Sequence, residues 1–176
     1  MTETRALPIE LESTAFIRFQ DCDPFGHLNN ARYVDYFMNA RQDQLTQFYD
    51  FRLFEHGKPM TESWVVSRSY LAYLAPVSLA EEIRIRTRLI EFTQHWLVVE
   101  GLMLDAEGRR LKSIAWIEFT YFSLATGRPA THPDELMQLF GAVVAPGTFD
   151  EDGFNRRVAA LRAEFRARRE AQEAAA

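Results

Sequence analysis

One stretch of this chain has a pattern that nothing else in it shares. Over residues 30–49 apolar side chains recur at helical spacing, and no glycine or proline appears before Gly57. Tyr33, Phe37, Ala40, Gln44 and Phe48 fall along one line, with Val34, Tyr36 and Leu45 beside it. Residues three and four apart share a helix face, so the spacing predicts one long helix with a wide apolar stripe. A stripe of that width must be covered, and a sheet is the natural cover.

The rest of the chain supplies that sheet. Residues 13–20 alternate, with Ala15, Ile17 and Phe19 on one side and Thr14, Arg18 and Gln20 on the other, the mark of a half-buried strand. After a loop over residues 51–60 carrying His56, Gly57 and Pro59, strand patterns cover residues 63–73, 82–92, 95–104 and 111–122. Pro76 ends the first of these, since proline cannot donate to a ladder. Asp105, Ala106, Glu107 and Gly108 make a hairpin turn, and Thr126 to Pro129 close the last strand. Short turns between consecutive strands imply an antiparallel meander, and one early helix followed by a run of strands implies an α+β fold.

The ends read differently. Residues 1–12 are polar, hold Pro8, and are expected to form a flexible arm. Residues 134–140 suit a short helix. Residues 143–153 read as a linker with Pro146 and Gly147, and residues 154–176 as an Ala/Arg/Glu-rich helix with a thin stripe of Val158, Leu161 and Phe165. That helix is expected on the domain's surface or against a partner chain. The division is an arm over 1–12, a domain over 13–140, and a linker with a C-terminal helix over 141–176.

Composition narrows the function. With 47% hydrophobic residues in 176, the chain has material for one packed core. A net charge of −5 gives no bulk field to attract nucleic acid. The single cysteine, Cys22, excludes an internal disulfide and a thiolate-built zinc site. No apolar run approaches the roughly 20 residues needed to span a bilayer, and the first residues lack a leader's apolar run. A cytoplasmic protein that neither binds nucleic acid nor enters a membrane is the expectation.

Chemistry concentrates between the first strand and the helix. The run Asp21-Cys22-Asp23-Pro24-Phe25-Gly26-His27-Leu28-Asn29-Asn30 joins them directly. Asp, Pro and Gly are turn formers, and Asn29 and Asn30 suit a helix N-cap. One reading of Asp21 and Asp23 ends there. The other notes that a helix start carries unpaired N–H groups and a positive dipole end. Such amides polarise a carbonyl, and a neighbouring carboxylate attacks it or activates water against it. Cys22 alternates away from both aspartates and is expected to be a small packed side chain. One His and two Asp are too few ligands for a metal, with His56, His95 and His132 scattered. Arg84, Arg86 and Arg88 share a strand face, either solvated or available to phosphates.

The same run resembles the signature of the 4-hydroxybenzoyl-CoA thioesterase-like family of the hotdog superfamily, of the form Asp-x-Asp-x-x-Gly-His-x-Asn-Asn-x-x-Tyr. Asp21, Asp23, Gly26, His27, Asn29, Asn30 and Tyr33 fill it. Tyr73-Leu74-Ala75-Pro76 followed by Glu81 is a looser second match. The resemblance implies a hotdog fold, a long central helix wrapped by a curved antiparallel sheet. It implies hydrolysis of an acyl-CoA to a free acid and CoA, with Asp23 as general base or nucleophile and the backbone N–H of Asn30 on the carbonyl. Gly26, His27, Asn29 and Tyr33 fall where the family binds substrate, although Tyr33 also suits core packing. It implies no cofactor, since coenzyme A arrives with the substrate, and leaves acyl-carrier protein open as the thiol carrier. It implies a homodimer or homotetramer, with the pocket completed by a neighbour's Tyr70 region. A hydratase or dehydratase on the same fold, and a non-catalytic acyl-binding or assembly protein, are the alternatives.

Overall fold

The computed structural model describes residues 6–53, 61–145, 150 and 152–174. His56, Gly57 and Pro59 of the expected loop, and Pro146 and Gly147 of the expected linker, lie outside those residues.

The helical spacing becomes a single 3-10 turn over Asn30–Arg32 that runs into α1, Tyr33–Tyr49. Asn29 starts it: its side chain accepts the Ala31 N–H at 3.0 Å. Asp50 stops it in the left-handed conformation, at φ 51°. Tyr33, Phe37, Ala40 and Gln44 form the buried line.

That line packs on an antiparallel sheet of β1 (Glu10–Phe16), β2 (Glu62–Tyr73), β3 (Glu82–Phe92), β4 (Trp96–Asp105) and β5 (Leu111–Ser123), ordered β1-β3-β4-β5-β2. A two-residue strand, β6 (Arg128–Pro129), pairs with β5. Gly101 on β4 lets α1 come close. A Cβ built there would meet the Phe37 ring at 2.6 Å, so a side chain at 101 would push the helix off the sheet.

β1 begins at Glu10, three residues before the expected strand and inside the expected arm. Cross-strand charge explains it. Glu12 pairs with Arg84 at 3.2 Å and with Arg86, and Glu10 lies 3.8 Å from Arg86. Leu11 between them is buried at 1% exposure. The strand also ends early, and residues Phe19–Asp21 form a 3-10 turn.

β3 alternates as its sequence says, while β4 and β5 are buried along most of their length on both faces. α1 covers one face. The other is covered by α3 (Phe154–Ala174), whose Leu161 and Phe165 pack with Leu102, Leu104 and Ile114. The C-terminal helix therefore docks on its own sheet. Its anchor is Glu100 on β4, fully buried and bonded by Arg157 of α3 at 2.9 Å, Arg88 of β3 at 2.7 Å and the Trp116 indole at 2.9 Å. Burial pushes the Glu100 pKa up, but these three partners outweigh it and hold the carboxyl below its ordinary value. A short α2, Asp134–Val143, closes the end of the α1–sheet layer with Phe140 and Val143. Among the described residues no helix is long and apolar enough to cross a membrane.

Candidate active site at the start of the long helix

The segment between β1 and α1 folds back on itself as a narrow loop. The Asp23 N–H donates to the His27 carbonyl at 2.8 Å, and the Asn29 N–H to the Asp21 carbonyl at 2.9 Å. At the tip, the Gly26 N–H closes a turn onto the Asp23 carbonyl at 3.0 Å. Gly26 sits at φ 75°, which a side chain would resist.

The two aspartates separate in role. Asp21 accepts the Tyr36 hydroxyl at 2.9 Å and lies 3.7 Å from the Arg32 guanidinium, so it ties the loop to α1. Asp23 is half-buried and turned to its own loop: Oδ1 accepts the N–H groups of Phe25 and His27 at 2.9 and 3.1 Å. Among the described residues Oδ2 accepts no hydrogen bond. The carboxylate is thus oriented through one oxygen, with the other available. Two residue pairs along the loop, roughly 7 Å of backbone, the helix begins. There the Asn30 N–H has no acceptor among the described residues, while the Asn30 carbonyl accepts the Tyr73 hydroxyl at 3.0 Å.

The remaining signature residues divide between loop and core. His27 is half-buried and bridges to Ser78, and Asn29 caps the helical turn. Tyr33 is 2% exposed, edge-on to the Tyr73 ring at 4.9 Å, and burial pushes its hydroxyl up to about 12. Of the aromatics near the turn, Phe37 is likewise in the core, whereas Phe25 and Phe19 stand 84% and 82% exposed. The surface beside Asp23 is therefore apolar and open within one chain. Cys22 packs against the core with its thiol toward the Arg18 carbonyl at 3.4 Å. Burial, then the charges of Asp21 and Asp23, push that thiol up, away from thiolate chemistry. No cluster among the described residues could hold a metal ion.

The weaker sequence match turns out to clamp the loop. The Leu28 N–H donates to the Val77 carbonyl at 2.8 Å and the Leu79 N–H to the Gly26 carbonyl at 2.9 Å. Glu81 fixes that segment: Oε2 accepts the Ser78 N–H at 2.8 Å, and Oε1 pairs with Lys112 at 2.7 Å. Lys112, almost wholly buried, also donates to the Pro76 carbonyl at 2.9 Å. Sequence reasoning missed Lys112, which lies far from the loop in the chain, and the bonds by which Tyr36 and Tyr73 hold it. Arg84, Arg86 and Arg88 are committed to Glu10, Glu12 and Glu100, so that face is neither free nor merely solvated.

A long helix held against a curled antiparallel sheet, with a further helix at the C-terminal end, defines a hotdog-fold protein. The thioesterase-like superfamily matches residues 17–140, and the chain belongs to it, among the thioester hydrolases. No curated protein matches the sequence. Among solved structures, the chain is similar in fold to Slr0204, a 1,4-dihydroxy-2-naphthoyl-CoA thioesterase from Synechocystis, at 13% identity and TM-score 0.67, covering 76% of this chain and 95% of that one. A DHNA-CoA thioesterase from Staphylococcus aureus matches at 16% identity and TM-score 0.67, over 88% and 94%. The protein SAV2348 of Staphylococcus aureus, solved in complex with CoA, matches at 14% and 0.64, over 81% and 90%.

Proposed function

We propose that this protein hydrolyses acyl-CoA thioesters at the loop before α1, with Asp23 as the reacting carboxylate. The observation that carries the reading is the division of labour in that side chain. Oδ1 is held by two backbone amides of its own loop, and Oδ2 is left to act. As a general base, Oδ2 takes a proton from water as the water oxygen attacks the thioester carbon. The carbonyl oxygen, gaining negative charge, turns to the Asn30 N–H and the positive end of α1. Collapse expels the thiolate of coenzyme A, which takes up the proton, and leaves the free acid. As a nucleophile, Oδ2 would form a mixed anhydride that water then opens. Gly26 and His27 shape the loop, Asn29 starts the helix, and Tyr33 backs it from the core. The chemistry needs no metal or cofactor, and the cytoplasm suits it.

Recognition of coenzyme A rests in this reading on a recess of about 220 Å³ between the β4–β5 hairpin and α3, lined also by Leu74 and Ala75. Arg109, Arg110, Arg162, Arg166 and Arg169 line it. Five guanidinium groups in a chain of net charge −5 suit phosphates. An acidic acyl-carrier protein is the competing occupant. Among the described residues β2 ends the sheet, with Val65, Val66 and Tyr70 exposed, and such an edge suits pairing with a second copy. The homodimer so formed, or a tetramer of two, would wall the open side of the Asp23 loop.

The test is a screen for thiol release across acyl-CoAs of graded length and across aryl-CoAs. Release of CoA thiol is expected. Addition of water to the acyl chain with the thioester intact would make the protein a hydratase, and binding without turnover would leave an acyl-binding protein.

A further inference from the structure

About 15–20 Å along α1 from the Asp23 loop, a second chemical environment opens that the hydrolysis does not use. A cavity of about 190 Å³ lies between the later turns of α1, the sheet and α2. Its walls are apolar: Leu45 of α1, Leu97 and Val99 of β4, Phe119 of β5 and Phe140 of α2. Asn39, Gln42 and Ser63 add neutral polar groups, and among the described residues one charged side chain borders it. That side chain is Arg41, and no carboxylate pairs with it among the described residues. Its partners are neutral: the Thr87 hydroxyl at 3.2 Å, and Tyr49, over whose ring the guanidinium sits at 5.9 Å. The Tyr49 hydroxyl donates to the Pro8 carbonyl at 2.6 Å and turns its oxygen to the guanidinium, and Thr87 donates onward to the buried Gln44. Burial lowers the Arg41 pKa to about 10, which still leaves it cationic at neutral pH. Arg84, Arg86, Arg88 and Arg157, also packed at the sheet, each have a carboxylate partner.

An uncompensated cation at the wall of an apolar cavity is costly unless an anion shares it. We infer that this cavity binds a carboxylate carried on an apolar stem, the stem against Leu97, Val99 and Phe119 and the carboxylate on Arg41. A guanidinium takes a carboxylate on two parallel N–H groups, and Thr87 and the Tyr49 oxygen leave that many of the five N–H groups of Arg41. Such a group has two sources: a free acid, or the far end of an acyl chain whose thioester lies at Asp23. Val34 and Met38, partly buried on the flank of α1, run from the helix start toward the cavity mouth and give the second source a path.

Trp64 lines the same cavity and reports on it. Titration of the intact protein with octanoate is expected to change Trp64 emission saturably, with a change that Trp64→Phe removes. Octanoate should bind about ten- to hundredfold more tightly than octanol. Arg41→Met should bring octanoate down to the level of octanol while octanol binding persists, which also shows that the variant folds. Arg41→Lys should keep part of the preference. Equal affinity for octanoate and octanol in the wild-type protein, loss of both ligands together in Arg41→Met, or no saturable change at all would overturn the proposal. The binding arm needs no turnover, so in Asp23→Asn it stands or falls apart from the hydrolase reading. Kinetics then assigns the source. If the carboxylate belongs to the acyl chain, a CoA thioester of an eight-carbon diacid has a lower KM than its methyl ester, and Arg41→Met erases the difference. If it belongs to a free acid, the two thioesters share one KM while octanoate still binds.

Discussion

Replacing Glu81 by Gln removes a charge and little else. The amide oxygen still accepts the Ser78 N–H, so the change isolates the pair with Lys112. Among the described residues Lys112 keeps only the Pro76 carbonyl. Its side chain is 9% exposed and that of Glu81 21%, so solvent repays little of the loss. Breaking a buried pair typically costs about 3–5 kcal/mol, and the partial exposure of Glu81 places this one near 2–3 kcal/mol. For a chain of this size that lowers Tm by about 5–10 °C. Thermal unfolding of Glu81→Gln, Lys112→Met and the double variant measures it. The double variant, with no stranded charge, should recover at least about half of the loss. Turnover should fall as well, by about tenfold or more, because the clamped segment holds Gly26 and Leu28 and so the orientation of Asp23. A Glu81→Gln protein that melts with the wild type, or a double variant less stable than either single one, would refute the clamp.

Three further expectations follow from other parts of the fold. Glu100→Gln strands Arg88 and Arg157 and should cost about 3–5 kcal/mol, with residues 154–174 becoming sensitive to limited proteolysis before the sheet unfolds; a protease-resistant helix would contradict the anchor. His132 is held neutral: burial lowers its pKa, Nδ1–H donates to the Thr93 carbonyl at 3.0 Å, and Nε2 accepts the Trp64 indole at 2.9 Å. The unfolded state therefore takes up the proton first. The His132 contribution to stability should be full above its ordinary value near 6.5 and lost as pH falls below it. His132→Asn should flatten that slope, and an unchanged slope would sink the assignment. Charge reversal at Arg162 and Arg166 should raise KM for acyl-CoA by about tenfold with kcat held. N-acetylcysteamine thioesters, which lack the nucleotide, should be indifferent to it. An effect confined to acyl-carrier protein thioesters would hand the arginine recess to that partner.

The parts of this protein that were legible in its sequence are those set by short-range pattern. The helix line through Tyr33, Phe37, Ala40 and Gln44, the alternation in β3, and the hairpin at Asp105–Gly108 all follow from spacing and turn chemistry. The loop carrying Asp23 was legible because its signature is contiguous. What failed depends on partners distant in the chain. Glu10 and Glu12 look like a polar arm until Arg84 and Arg86 are beside them. The arginine face of β3 looks solvated for the same reason. β4 and β5 lose their alternation because α3 covers the second face, and nothing local says where α3 docks. Nothing in the sequence marks Arg41, since its isolation appears only once Thr87 and Tyr49 surround it.

The hydrolase reading stands on Oδ2 of Asp23 being the reacting oxygen, and Asp23→Asn tests it with the least disturbance. The amide oxygen still accepts the N–H groups of Phe25 and His27, so the loop and the melting temperature should be preserved, while the base is gone. Single-turnover release of CoA from the best acyl-CoA substrate should slow by about 10²–10⁴-fold in a protein that still binds it. Release at the wild-type rate would contradict the account, and the chemistry would then have to be sought elsewhere on the fold.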